Sequence, residues 1–171
     1  MPQGPRRASI LPEPVDPHRL AVDGLRQAVE ACGRCDGLMS DLQALYATIG
    51  QAVVAAGCQC SACGDCCNFP KYRHLLYVTG PELALLLRQP PGRPQAASMG
   101  LCPYQDGDAC TARHSRPAAC RTFFCARSAF RLSQEQAEQF HAALREAHQR
   151  HGSPYVYVEF CRSIMQLTAS E

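Results

Sequence analysis

From His18 onward, apolar side chains recur at helical spacing: Leu20, Leu25, Ala28 and Val29, then Leu38, Leu42, Leu45, Ile49 and Val53. A break at Cys32-Gly33-Arg34-Cys35 separates the two runs, so the pattern predicts two amphipathic helices, the second ending near Gly57. The stretch 57–71 (GCQCSACGDCCNFPK) has no apolar period and is rich in Gly and Cys, which predicts a loop shaped by what its cysteines bind. Tyr72 to Val78 reads as a short strand. Thr79-Gly80-Pro81-Glu82 then starts a helix, with a Thr cap, an early proline and a Glu placed to reach back, and Leu83, Leu86 and Leu87 carry it to about Arg88.

Residues 89–100 (QPPGRPQAASMG) read as a linker-like loop, and Cys102 to Ala112, centred on Asp106-Gly107, as a small hairpin. Ser115 is placed to cap a short helix through Pro117 to Phe124. Ser133, with Gln136 in the reciprocal position, opens a longer helix that faces inward through Ala137, Phe140, Leu144 and Ala147 and stops at Gly152 and Pro154. Tyr155 to Phe160 alternates as an extended segment before a short tail after Cys161. The expected fold is mainly α with a few short strands, a small α+β domain whose helices pack around a cysteine-ligated metal core. Residues 1–17 carry five prolines and no apolar period and are expected to be a disordered tail, leaving 18–171 as a single domain.

Composition changes this picture in one respect. Hydrophobic residues make up 46% of the chain, but there is no Trp and only 7% is aromatic, so the core is expected to be built from small side chains and to need additional support. Twelve cysteines stand among 171 residues. The first twenty residues break every short apolar run with proline or charge, so no export signal is read, and no apolar stretch approaches the roughly 18 residues of a membrane span. These readings predict a cytoplasmic protein without a membrane partner, in which dense cysteine signals metal or redox chemistry more than disulfides. A formal charge of +2, from 17 basic and 15 acidic residues, gives no nucleic-acid footprint.

The chemistry is concentrated in Cys60, Cys63, Cys66 and Cys67, a C-x2-C-x2-C-C run, and in Cys102, Cys110, Cys120 and Cys125 downstream. Two intervening residues let a turn bring both sulfurs to one metal, and amides in such a turn can donate to the thiolates. Cys60, Cys63 and Cys66 match the start of the bacterial ferredoxin run C-x2-C-x2-C-x3-C-P, and Cys102-Pro103 supplies a remote Cys-Pro. The adjacent Cys67 departs from that pattern. Neighbouring side chains diverge in a helix or a strand, so Cys66 and Cys67 are expected not to chelate one ion together. Eight thiols allow either two four-ligand sites or one four-cysteine cluster with four spare thiols.

The C-x2-C-x2-C-C run, followed by Leu101-Cys102-Pro103-Tyr104, Cys110 and Arg116-Pro117-Ala118-Ala119-Cys120-Arg121-Thr122-Phe123, resembles the YkgJ-type cysteine-cluster family over about residues 58 to 127. The resemblance implies zinc or iron chelation and relatedness to a flagellin lysine N-methylase carrying the same type of cluster. Ala112 and Arg113 depart from the branched apolar and aromatic residues that the family pattern leads one to expect.

Arg116 and Arg121 are positioned to offset the negative charge of several thiolates and to donate to sulfur. His74 and His114 read as surface residues, and His148 and His151 as part of a solvated helix face. Cys32 and Cys35 form a separate C-x2-C, with Cys58 and Cys161 as still weaker ligand candidates. No P-loop, dinucleotide or hydrolase motif is present, so no catalytic residue is assigned. The expected function is an iron-sulfur protein, 4Fe-4S in type, acting in electron transfer, redox sensing or support of an unidentified protein partner. A structural zinc domain that binds a macromolecule is the alternative, and an iron-sulfur-dependent methyltransferase-like enzyme a further one.

Overall fold

The computed structural model describes residues 22–58, 60, 63–123 and 130–169. The expected tail over residues 1–17 lies outside the described residues, as does Cys125. In chain order the helices are α1 (Val22–Arg34), α2 (Asp36–Ala55), α3 (Phe69–Tyr72), α4 (Gly80–Leu86), α5 (Ala118–Thr122), α6 (Phe130–Arg150) and α7 (Phe160–Thr168). The strands are β1 (Tyr77–Thr79), β2 (Gln105–Asp106), β3 (Ala109–Cys110) and β4 (Tyr157–Glu159). Mainly helical with short strands, the fold is the small α+β arrangement that the sequence predicts.

α1 and α2 form where the apolar period places them. α1 buries Leu25, Val29 and Cys32, while α2 buries Leu38, Met39, Leu42, Tyr46 and Ile49. The break between them is the extended backbone of Cys35, at φ −89° and ψ 91°, and past α2 the chain turns at Gly57, whose φ is +67°. α6 packs on α2 and α5, and its Phe140, Leu144 and Ala147 close a core with Leu38, Leu42 and Ile49. α6 begins at Phe130, before the expected Ser133 cap.

A second core gathers Leu25, Val29, Val78, Leu83, Val156, Phe160 and Ile164 with Cys67, Cys102 and Tyr104. Its frame is the antiparallel pair β1–β4, in register Tyr77 to Glu159, Val78 to Val158 and Thr79 to Tyr157. Strands so far apart in sequence meet because Val78 and Val158, both buried, face the same core. The β2–β3 hairpin pairs Gln105 with Cys110 and Asp106 with Ala109, and Gly107 takes the positive φ of +56° that its tight turn requires.

Four expectations are corrected. The strand predicted over Tyr72 to Val78 is confined to Tyr77–Thr79, because Asn68 caps α3 by accepting from the Lys71 N–H at 3.2 Å and Pro70 favours the first helical turn. The linker-like stretch 89–100 contains a 3-10 turn over Pro94–Met99 that buries Ala96 and Ala97 against α7. That helix replaces the expected tail after Cys161: Glu159 accepts from the N–H groups of Cys161 and Arg162 at 3.0 and 2.7 Å, and Ile164 and Leu167 are buried. Ser115 does not cap α5.

The group that serves α5 is Glu82. Its Oε1 accepts from the Ala118 N–H at 2.7 Å and from the Tyr46 hydroxyl at 3.2 Å, while Oε2 accepts from the Thr79 N–H and hydroxyl, each at 2.8 Å. The reach back to Thr79 is the capping role predicted for Glu82. The other two bonds tie α2, α4 and α5 together through one carboxylate that is only 2% exposed.

Candidate metal centre

Gly64 fixes where the first cysteine run enters the fold. Its φ of +70° is left-handed, and a Cβ there would lie 3.1 Å from the Asp108 backbone, so the chain passes against the β2–β3 hairpin where only glycine fits. Gln105 Nε2 donates to the Gly64 carbonyl at 3.3 Å and to the Gly107 carbonyl at 3.0 Å, holding loop and hairpin together. A 3-10 turn, Asp65–Cys67, follows directly.

The Cys67 carbonyl accepts from the Cys102 N–H at 2.9 Å, and Asn68 and Leu101 form a bridge beside it. The first run is thereby joined to the Cys-Pro element. Cys110 comes from β3 and Cys120 from α5, whose N-terminus is held by Glu82. Cys60, Cys63, Cys66, Cys67, Cys102, Cys110 and Cys120 all line one cavity of about 610 Å³. Phe69, Leu76, Leu86, Tyr104 and Phe160 supply much of its remaining wall. Tyr104 directs its hydroxyl away, donating to the carbonyls of Leu86 and Gln89 at 3.2 Å each, and leaves its ring to the interior.

Cys66 and Cys67 follow one another within the 3-10 turn. Both thiols line the cavity. None of the described cysteines is paired in a disulfide.

Crowded thiols resist ionisation. The Cys66 thiol is pushed up, first by its bond to Cys67 and then by burial. Cys67 is pushed up to about 12, chiefly through its bond to Cys102. Burial raises Cys110, and it raises Cys120 strongly, with Cys66, Cys67 and Cys110 adding to the effect. Arg116 opposes the rise at Cys66, Cys110 and Cys120. It lines the cavity, and its Nε is buried with no hydrogen-bond partner among the described residues.

Arg121 is placed differently. Its Nε donates to the Arg116 carbonyl at 2.8 Å and its Nη2 to the His114 carbonyl at 2.6 Å, while the guanidinium lies 3.9 Å from the Tyr46 ring centroid. It therefore braces the backbone that carries Arg116 and does not line the cavity. The site also has members that sequence spacing does not reveal, namely Gly64 and Gln105 as its anchor and Glu82 as the holder of α5. For Glu82 the available signal was its capping position, which did not foretell its other partners.

The remaining candidates fall elsewhere. Cys32 is fully buried, with Sγ 3.6 Å from Ser153 Oγ, and Cys161 packs in the core with its thiol 3.7 Å from the Leu101 carbonyl. Cys35 and Cys58 lie away from the cavity lining. His74 packs against Phe69 and Phe123 at 5.4 and 5.5 Å, and His114 is exposed. The expected solvated face on the last long helix is corrected at His148, which is 1% exposed beneath Tyr155, while His151 meets Asp41 of α2 at 2.8 Å.

Among the described residues no three His, Cys, Asp or Glu side chains are gathered as a ready-made ion site. The thiols surround a space and do not converge on one point. Their chemistry nonetheless fits an inorganic centre: seven of the lining side chains are thiols, with the carboxylate of Asp108 beside them, the wall is largely apolar, and a buried guanidinium N–H is without a partner among the described residues. Such a set suits iron-sulfur clusters or zinc and disfavours hard cations that require oxygen ligands. No family model matches this chain, and no curated protein or solved structure matches it.

Proposed function

We propose that this protein binds an inorganic centre, an iron-sulfur cluster of 4Fe-4S type, held among Cys60, Cys63, Cys66, Cys67, Cys102, Cys110, Cys120 and Cys125. Its role in this reading is electron transfer, redox sensing or support of a partner enzyme. The observation that carries the proposal is the meeting of seven thiols from four separate parts of the chain at one cavity beside Arg116. Left metal-free, these thiols stay protonated, because burial and their neighbours raise the cost of ionising each one. A bound cation reverses that relation, because thiolates are its ligands.

Iron-sulfur is favoured over a single ion by the ferredoxin-like spacing of Cys60, Cys63 and Cys66 and by a lining of seven thiols that do not converge on one point. When bound, such a cluster supplies one-electron redox chemistry. The chain's own residues would hold it, keep bulk water off one side through Phe69, Leu86 and Phe160, and offset its charge through Arg116. The likeness to the YkgJ-type pattern points to the same broad chemistry.

One observation favours zinc as the second reading. Cys66, Cys67 and Cys102 line the same cavity, with the Cys67 carbonyl accepting from the Cys102 N–H at 2.9 Å, and all-thiolate ligation is acceptable to zinc. Anaerobic purification with metal analysis and a visible spectrum separates the two. A brown protein with a broad visible band supports the cluster, and colourless protein with stoichiometric zinc ends that reading in favour of the second. Under either, Cys67→Ser and Cys120→Ser lose metal and Cys161→Ser keeps it. Metal retained by both Cys67→Ser and Cys120→Ser would remove the cavity from consideration.

A further inference from the structure

The C-x2-C of Cys32 and Cys35 stands apart from the cavity lining. It spans the break between α1 and α2: Cys32 lies in the last turn of α1, and Cys35, in extended backbone, precedes α2. The Cys35 N–H donates to the Cys32 carbonyl at 3.2 Å and closes the turn. A turn closed by such a bond holds its end Cα atoms within about 7 Å of each other, and a disulfide bridges Cα atoms roughly 4.4–6.8 Å apart. Both residues belong to the core shared by α2 and α6, Cys32 inside it and Cys35 packed against it.

The two thiols differ in reach. Cys32 is fully buried, with Sγ 3.6 Å from Ser153 Oγ and 3.8 Å from the Pro154 carbonyl. It occupies space that Gly80 leaves open, where a Cβ would come within 2.9 Å of the sulfur. Cys35 is half-buried between the exposed Arg34 and Asp36, so a small reagent meets it first. Burial pushes the Cys32 thiol above its ordinary value, which leaves the opening attack to Cys35. The thiol is a weak donor and acceptor, so the two contacts of Cys32 let its sulfur turn toward Cys35.

We propose that Cys32 and Cys35 form a dithiol site, separate from the cavity, that exchanges with small disulfides of the glutathione type. Cys35 takes up the mixed disulfide, and Cys32 resolves it into a Cys32–Cys35 disulfide. The inference goes beyond the metal-binding reading and does not rest on it. In the first step Cys35 gives its proton to solvent and its sulfur attacks one sulfur of glutathione disulfide. That disulfide breaks, one glutathione leaves as thiolate and takes up a proton, and the other stays joined to Cys35. In the second step Cys32 loses its proton and its sulfur attacks the Cys35 sulfur, displacing the second glutathione, which is protonated in turn. The protein gives up two electrons and two protons, and one glutathione disulfide becomes two glutathione thiols.

The test incubates the reduced full chain with glutathione disulfide, quenches in acid, blocks free thiols with N-ethylmaleimide in denaturant and cleaves on the N-terminal side of Asp. That cleavage releases residues 23–35, which carry Cys32 and Cys35 and no other cysteine. By mass spectrometry the wild-type fragment should be unblocked and two hydrogens lighter than the dithiol, and excess reduced glutathione should restore the dithiol. Cys32→Ser should trap glutathione on Cys35, at a level at least about tenfold above the wild-type mixed disulfide. Cys35→Ser should leave Cys32 free of glutathione. The dithiol role is overturned if the wild-type fragment stays reduced, carries as much glutathione as that of Cys32→Ser, or is joined to a peptide bearing another cysteine. Glutathione on Cys32 in a folded Cys35→Ser chain would equally overturn the assigned order. Urea unfolding checks that each reduced variant is folded, and if Cys32→Ser is not, the wild-type fragment alone decides the outcome.

Discussion

Replacing Glu82 with Gln exchanges a carboxylate for an amide at the point where α2, α4 and α5 meet. Four donors now converge on this side chain: the backbone N–H groups of Thr79 and Ala118 and the hydroxyls of Thr79 and Tyr46. The hydroxyls can turn and accept from an amide NH2, but a backbone N–H cannot. Whichever way the Gln amide faces, one backbone N–H meets another donor and is left unsatisfied, at about 1–3 kcal/mol. Glu82→Ala leaves all four donors without their acceptor and is expected to cost about 4–5 kcal/mol, a large part of the roughly 5–15 kcal/mol typical of a domain.

Equilibrium urea unfolding measures both variants. With a slope of about 2 kcal/mol per molar, Glu82→Gln should lower the midpoint by about 1 M. The pH dependence provides a second check. Burial holds the Glu82 carboxyl above its ordinary value of 4.5. Its contribution to stability is therefore full below pH 4.5 and is lost as pH rises through the folded pKa. The advantage of Glu over Gln should shrink over that interval. A Gln variant with the wild-type midpoint or a higher one would refute the assignment of Glu82 as the tie among the three helices.

Three further predictions concern the site and its surroundings. Gly64→Ala must accept a left-handed backbone and a 3.1 Å contact with Asp108, so it should lose about 1–3 kcal/mol in urea unfolding and bind metal more weakly, whereas Gly57→Ala, with nothing near its Cβ, should pay only the backbone term. Because Cys66, Cys67, Cys110 and Cys120 are all raised, metal uptake near neutral pH should release protons, detectable with an indicator in weak buffer; uptake without proton release would mean that the buried thiols are not the ligands. His74, His141 and His148 are held below the ordinary value of 6.5 by burial, so the stability they confer is present above pH 6.5 and lost as pH falls through their folded values. Melting temperature should fall from about pH 7.5 to about pH 5.5, read in the Glu82→Gln background to remove the opposing carboxyl, and a flat or rising profile would contradict it.

Much of the fold was legible in the chain because it depends on local order. The apolar period of α1 and α2, the Thr79 start of α4, the Asp106-Gly107 hairpin and the Phe140-Leu144-Ala147 face of α6 are written in near neighbours and side-chain chemistry. So is the inventory of cysteines and their close spacing. Contacts between distant segments decided the rest. The pairing of β1 with β4, the burial of His148, the helix after Cys161 and the α5 terminus held by Glu82 all depend on partners that no local pattern specifies. At the candidate centre, spacing singled out the thiols, but only the backbone bond from Cys102 to Cys67, the close passage of Gly64 by Asp108 and the irregular turn at Cys66-Cys67 brought seven of them to one cavity. The physical reason is that helix period, caps and tight turns are fixed within a few residues, whereas a cavity wall is the meeting of segments tens of residues apart, chosen by the packing of the whole core.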